Sequence, residues 1–175
     1  RLPGIMTYEV HSTDYQPSDS AARMVADHFT LLKVGPCLTD AFRRAVFGLA
    51  RIESEHLDRD GGVQHSNIQG VLEAVMLENP AHWRPYYRGS EERLRFLRSN
   101  SRRDRLRYYW SHPAVSSTLR LLMDNLRAGL PPAWVEEHLP DVYAALPPDR
   151  YPVDAATLIR RRIQLALQPY LDACA

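Results

Sequence analysis

The feature that most constrains this fold is a strand–helix–strand–helix order at its start, followed by no convincing further strand. Residues 4–11 and 29–34 have the β-branched and apolar character of strands. A helix opening at Pro17 separates them, and an apolar stripe predicts a long helix over about 41–57. Two strands joined through a helix are expected to lie parallel in one sheet.

Two parallel strands do not make a stable sheet on their own. A complete (β/α)₈ barrel takes about 250 residues, whereas this chain has 175. We therefore expect the chain to be the C-terminal part of a longer α/β protein, with 1–57 as its final βαβα portion. The rest, 58–175, is predicted to be an α-helical C-terminal extension.

Prolines punctuate the second part of the chain and divide it into helices. After a loop at 58–62, the predicted helices cover about 67–78, 90–99, 102–110, 112–128, 131–139 and 154–173.

Composition narrows the class of protein. The hydrophobic fraction of 45% fits a globular chain, and no apolar run reaches the length of a membrane span. We expect no signal peptide at Arg1 and a cytoplasmic location, with Cys37 and Cys174 as reduced thiols that match no metal-ligand spacing. The net charge of +1 indicates neither nucleic acid nor membrane as a partner.

All basic residues except Lys33 are arginine. Because arginine is so common in this chain, an arginine cluster is weaker evidence of phosphate binding here.

Five segments, found in order along the chain, carry a resemblance to a known family. They are HSTDYQ (11–16), LLKVGP (31–36), VLEAVMLENPAHWRPYY (71–87), RDRLRYYWSHP (103–113) and IRRRIQLALQPYLDAC (159–174). Together they resemble the non-catalytic, Z-type subunit of class II D-tagatose-1,6-bisphosphate aldolases over nearly the whole chain. One departure is Val10, where the family leads us to expect Gly.

The resemblance implies a TIM-type barrel of which this chain supplies the last two strands. It also implies an accessory subunit that supports the activity and stability of a separate catalytic class II aldolase subunit. The pathway would be galactitol or N-acetylgalactosamine breakdown through tagatose phosphates. This chain is expected to hold no cofactor, no metal ligand and no catalytic residue, because zinc in class II aldolases is held by three His in the catalytic subunit.

Polar residues at the two predicted strand ends are the candidate ligand site, because barrel enzymes keep their sites there. The second loop resembles the one that contacts substrate phosphate in catalytic class II aldolases, and helix N-termini attract anions. The alternative is that Thr39 only caps its own helix, that the Lys33 stem is buried, and that the polar side chains close the barrel top. The candidates are His11, Ser12, Asp14, Lys33, Gly35 and Thr39.

The segment 82–110 mixes nine arginines with aromatic residues and only three acids. Such mixing is typical of protein interfaces, and nucleic-acid binders also use it. No nucleic-acid-binding motif is present, so we predict an interface with the catalytic subunit or with a second copy of the chain. The candidates for that interface are Trp83, Arg95, Arg98, Arg102 and Arg105.

Two other functions stay open from the sequence. The chain could belong to a sugar-phosphate enzyme in its own right, either an aldolase or a tagatose-6-phosphate kinase, although it contains no Walker A or kinase glycine-rich motif. It could also be an arginine-rich RNA-binding module, which salt-sensitive RNA retention would reveal.

Overall fold

The computed structural model describes residues 6–17, 19–57 and 62–175 and shows a mostly helical α/β chain. Strands β1 (Tyr8–Val10) and β2 (Phe29–Leu32) pair in parallel. The pairing sets Glu9 opposite Leu31, with a register irregularity between Tyr8 and Glu9. The predicted parallel pairing is confirmed. Part of the first predicted strand and most of the loop predicted at 58–62 lie outside the described residues.

Eight α-helices occupy most of the described part of the chain. They are α1 (Ser20–Ala26), α2 (Pro36–His56), α3 (Ile68–Glu78), α4 (Glu91–Asn100), α5 (Pro113–Asn125), α6 (Pro132–His138), α7 (Pro140–Ala144) and α8 (Ala155–Cys174). Short 3₁₀ turns lie at Pro80–His82, Arg105–Tyr109 and Pro148–Arg150. Within the described ranges, no helix is long and apolar enough to cross a membrane.

Most predicted helices end within a few residues of the observed ones, and three larger differences each have a local reason. Helix α2 begins at Pro36 instead of 41, because the fixed φ of proline suits the first turn of a helix. The stretch predicted as a helix over 102–110 is a 3₁₀ turn, entered through Asp104 in the left-handed conformation with φ of 44°. Pro140 ends α6 and opens the short α7, which the sequence did not predict.

Helix α2 is the central element of the hydrophobic core. Val46, Leu49 and Ile52 of its apolar stripe are fully buried, and α3, α5, α6 and α8 all pack against it. The same core contains Leu122 of α5 and Leu158 of α8. Because α8 also packs on α1, both helices of the βαβα portion pack directly against the helices that follow it.

A buried ionic cluster fixes the position of α2. The Arg43 side chain is almost fully buried and donates from Nε to Asp104 Oδ1 at 2.9 Å. Its guanidinium also bonds Asp40 and the Ser99 carbonyl, and reaches the Ser101 carbonyl at 3.3 Å. One cation thus ties α2 to the loop that follows α4, where its many hydrogen bonds offset the cost of burying the charge.

We expect Arg43→Met to destabilise the fold strongly, because it leaves the buried Asp104 without its cation and leaves Asp40 with only the half-exposed Arg44. Removing one partner of a buried ion pair costs about 3 to 5 kcal/mol, which urea unfolding followed by circular dichroism would measure. The matched control is Arg44→Met, because Arg44 pairs with the same Asp40 at 2.9 Å from a half-exposed position. That change should cost only about 0.5 kcal/mol. Equal losses in the two variants would contradict the role given to Arg43.

Candidate functional site

The loops after β1 and β2 lie side by side, because parallel neighbouring strands end at the same edge of a sheet. The backbone N–H of Lys33 donates to the Val10 carbonyl at 3.0 Å. The buried Thr13 hydroxyl donates to the Lys33 carbonyl at 2.8 Å. These two bonds continue the strand pairing into the loops and bring the residues following each strand into one site.

Three ionisable side chains form the open part of this site. The His11 Nε2 atom lies 2.7 Å from Glu9 Oε1, and the Lys33 Nζ atom lies 4.0 Å from the same oxygen. All three residues are exposed, as is Ser12, whose backbone is left-handed with φ of 60°. Exposed ion pairs contribute little to stability. The arrangement therefore leaves His11, Ser12 and Lys33 accessible for contact with another molecule or another part of a longer chain.

The amino end of α2 is occupied by a side chain of this chain. The Asp14 Oδ1 atom accepts hydrogen bonds from the backbone N–H of Gly35 at 3.1 Å and of Cys37 at 3.0 Å. These are the donors that an anion at a helix N-terminus would use. The Thr39 hydroxyl donates to the Pro36 carbonyl at 3.2 Å, within its own first turn. Asp14 thus takes the place of a bound anion. The prediction that Thr39 caps the helix is wrong, because α2 begins at Pro36 with Gly35 as its N-cap residue, and Thr39 lies inside the helix.

A cleft of about 420 Å³ opens beside these loops, between α1, α2 and α8. The Tyr170 hydroxyl of α8 closes one side by donating to the Thr13 carbonyl at 2.9 Å. Basic and acidic side chains on the walls pair with one another, including Arg44 with Asp40 and Arg162 with Asp141. Burial, with Arg44 nearby, lowers the pKa of Arg162. Sequence reasoning missed this cleft, because α8 comes from the far end of the chain and no local spacing signals the contact.

The floor of the cleft contains a protected thiol. Burial, together with the adjacent Asp14 carboxylate, raises the pKa of Cys37 to about 12. Burial also raises the pKa of Tyr15, whose hydroxyl donates to the Arg102 carbonyl at 3.0 Å. Both groups are therefore neutral at physiological pH, and neither is activated as a nucleophile.

Two of the candidate interface residues are buried inside this chain, which corrects their assignment to an exposed surface. Trp83 is 4% exposed and donates from Nε1 to the Met76 carbonyl at 2.6 Å. Arg98 is 2% exposed and pairs with Glu73 at 2.6 Å and Glu91 at 2.7 Å. The Arg98 guanidinium also lies 4.7 Å from the Trp83 ring centroid. These two residues hold α3, α4 and the turn at Pro80–His82 together.

The remaining candidates lie at the surface or near it. Arg95 and Arg102 are exposed, and Arg105 is half-buried. The Arg105 guanidinium stacks on the exposed Tyr86 ring at 3.3 Å from its centroid. Arg102 lies over the Tyr15 ring at 5.3 Å. Such stacking holds arginines in place while leaving their N–H groups available.

These observations define a class: a mostly helical α/β protein with a polar site at the ends of two parallel strands, packed on a proline-divided helical region. The family can be named from comparison with known proteins. The model of one family, "D-tagatose-1,6-bisphosphate aldolase subunit GatZ/KbaZ-like", matches residues 3–175. The chain belongs to this family, which confirms the resemblance seen in its sequence.

Curated relatives and a solved structure agree with the assignment. The D-tagatose-1,6-bisphosphate aldolase subunit GatZ of Klebsiella pneumoniae is 36% identical over 170 residues, and that of Escherichia coli SMS-3-5 is 38% identical over 172. Each match covers 97% of this chain and 40% of the relative. A crystal structure described as a "probable tagatose 6 phosphate kinase" from Sinorhizobium meliloti 1021 superimposes with a TM-score of 0.88 at 39% identity. That match covers 97% of this chain and 43% of the other, so this chain spans about two fifths of the proteins it resembles.

The two cysteines should differ sharply in reactivity. Only thiolates react readily with disulfide reagents, and the raised pKa of Cys37 keeps it protonated at pH 8. Cys174 is exposed. We expect one reactive thiol in the native chain and two after denaturation, measured by an Ellman titration. The Cys174→Ser variant is the control and should show almost no native reactivity. Rapid labelling of native Cys37 would contradict the buried site described above.

Proposed function

We propose that this chain is part of an accessory, non-catalytic subunit of a zinc-dependent D-tagatose-1,6-bisphosphate aldolase. The observation that carries the proposal is the family match over residues 3–175, together with curated relatives named as subunits of that aldolase. The subunit acts in the cytoplasm, in galactitol or N-acetylgalactosamine breakdown. Its partner is the catalytic class II aldolase subunit, which holds the zinc.

The two strands are proposed to be the last two of a TIM-type barrel, with the helices of 58–175 as an extension to it. The exposed face of the small sheet supports this proposal. Leu31 is 53% exposed and its strand partner Glu9 is also exposed. In a barrel this face would point inward, where a large apolar side chain such as Leu31 is normally buried.

Within that barrel, the accessible side chains at the strand ends are proposed to face the open end of the barrel. His11, Ser12 and Lys33 contact a ligand or neighbouring loops there, while Asp14, Gly35 and Thr39 hold the loops in place. A zinc role for His11 is disfavoured by its surroundings. Its Nε2 atom already pairs with Glu9, and the same carboxylate attracts the cationic Lys33, which would repel a metal ion.

The aldolase proposal is tested by reconstitution. We expect the chain to co-purify with its cognate catalytic subunit and to raise the rate of tagatose bisphosphate cleavage by that subunit. The chain alone, with added zinc, should cleave nothing, because a three-histidine site is needed for the metal. Chelator-sensitive cleavage by the chain alone would instead support an aldolase in its own right. Transfer of phosphate from ATP to tagatose 6-phosphate would support the kinase named for the Sinorhizobium relative.

The partner interface is proposed to use the arginine–aromatic surface formed by Tyr86, Arg95, Phe96, Arg102, Arg105 and Tyr108, all of them exposed except the half-buried Arg105. Phe96 is 53% exposed and Tyr86 is 46% exposed, an unusual exposure for large aromatic side chains. Aromatic rings held by stacked arginines offer large contact area at low entropic cost. The partner is the catalytic subunit, or a second copy of this chain.

We expect Arg95→Glu and Arg102→Glu to weaken the complex while the melting temperature hardly moves. A central interface arginine contributes about 2 kcal/mol or more, which is roughly thirtyfold in affinity. Sedimentation or surface plasmon resonance with the catalytic subunit would measure this, and sedimentation of the chain alone would report self-association. The matched control is Arg120→Glu on α5, where the exposed guanidinium bonds only the nearby Ser117 hydroxyl at 3.1 Å among the contacts described. Unchanged assembly in both variants would place the interface elsewhere.

A further inference from the structure

Four side chains with metal-ligand chemistry converge where the last turns of α2 and α6 meet. Glu55 and His56 end α2, and Glu137 and His138 end α6. The His138 Nε2 atom lies 3.3 Å from Glu55 Oε2 and 3.9 Å from Glu137 Oε2. The His56 Nε2 atom lies 3.9 Å from the same Glu137 oxygen. The sequence separates the two pairs widely, and only folding brings them together.

Both imidazoles turn a buried nitrogen into this space. The His138 side chain is 7% exposed and that of His56 is 17% exposed. Neither Nε2 atom has a hydrogen-bond partner among the residues that the structure describes, although carboxylate oxygens lie close by. A buried polar atom without a partner is costly. A bound metal ion, which accepts a lone pair from each imidazole nitrogen, would remove that cost.

The spacing of the donor atoms fits one metal ion. Ligand atoms of Glu55, His56 and His138 all lie within 4.8 Å of one another. Tetrahedral donors at about 2.1 Å from a Zn²⁺ ion are about 3.4 Å apart. The 3.3 Å and 3.9 Å separations to the carboxylates are close to this value. Small rotations of the two exposed glutamates would complete the shell.

The packing holds the two imidazoles in place. The His56 ring stacks on Trp134, with ring centroids 4.5 Å apart and planes only 7° from parallel. Gly48 allows the end of α6 to approach α2 closely, since a Cβ there would lie 2.5 Å from Leu139 Cδ2 and 3.1 Å from the His138 carbonyl. Fixed rings need little reorganisation on binding, which favours a metal site over an exposed pair of histidines.

The electrostatics also favour a cation at this point. The C-terminal ends of α2 and α6 meet there, and each carries a partial negative charge from its last carbonyls. Two carboxylates add to that field. Imidazoles with carboxylates are a donor set suited to Zn²⁺ and related divalent transition metals.

We infer that His56, His138 and Glu55, with Glu137 as a fourth ligand, bind a Zn²⁺ ion that ties the end of α2 to the end of α6. The inference does not rest on the aldolase proposal, and the site is separate from the strand-end loops. It assigns the ion a structural role between two helices.

Binding is tested with untagged protein in the Cys174→Ser background, which removes the exposed thiol as a competing ligand. We expect one Zn²⁺ per chain by isothermal titration and metal analysis, and a melting temperature that rises with Zn²⁺ and falls with chelator.

Variants test which side chains bind the ion. Loss of a group that only supports a metal ligand costs about 10- to 100-fold in affinity. His138→Gln should therefore cost about a hundredfold or more, and Glu55→Gln should also weaken binding. The matched control is His112→Gln, because His112 is exposed and forms no side-chain capping bond.

Fluorescence gives a second readout of this site, when the parent is compared with a Trp134→Phe variant that keeps the other two tryptophans. Bound Co²⁺ or Ni²⁺ should quench the emission of Trp134, because its indole stacks on a proposed ligand. Trp134→Phe should remove that quenching while keeping metal binding in the calorimeter. If His138→Gln fails to fold, Glu55→Gln still tests the site, because Glu55 lies at a half-exposed position where the change should not disturb folding.

The inference fails if Zn²⁺ affinity is the same in the parent, Glu55→Gln and His138→Gln proteins. It also fails if Co²⁺ and Ni²⁺ leave Trp134 emission unchanged at saturation. Either result would make the cluster a set of ordinary ion pairs between the two helices.

Discussion

The buried Arg43 guanidinium is the interaction on which the arrangement of the proposed surfaces depends. It holds the loop around Asp104 against α2 with a charged hydrogen bond of 2.9 Å. That loop carries Arg102, whose carbonyl accepts from the Tyr15 hydroxyl in the loop after β1. The same loop leads into Arg105 on the arginine–aromatic surface. One buried cation therefore links the strand-end site to the proposed interface, and a change at Arg43 would disturb both.

Much of the fold could be predicted from the sequence, because its signals are local. The β-branched runs and the stripe of α2 predicted the parallel pair and the central helix. The predictions of secondary structure were wrong where the backbone conformation depends on contacts with residues far away in the sequence. Asp104 adopts a left-handed conformation, which its bonds to α2 stabilise, so the helix predicted there becomes a 3₁₀ turn. A propensity scale contains no information about such a tertiary bond.

The candidate residues were easier to predict than their roles. Parallel strands necessarily place His11 and Lys33 at one edge, but only the folded structure shows that Asp14 occupies the helix donors. Composition likewise could not separate Arg98, buried against two glutamates, from Arg95 at the surface. Burial of an arginine depends on acids elsewhere in the chain, and sequence spacing does not report those partners.

Helix α2 gives a physical reason for the different chemistry at its two ends. Its dipole favours negative charge at the amino end, where Asp14 accepts from Gly35 and Cys37. It favours positive charge at the carboxyl end, where His56 meets His138 and the glutamates. A helix of 21 residues separates these ends by about 30 Å, beyond direct contact and beyond the roughly 8 Å screening length of physiological salt. A metal at the carboxyl end would therefore act on the strand-end site only through the rigidity of α2, so that the aldolase proposal and the metal inference can be tested apart.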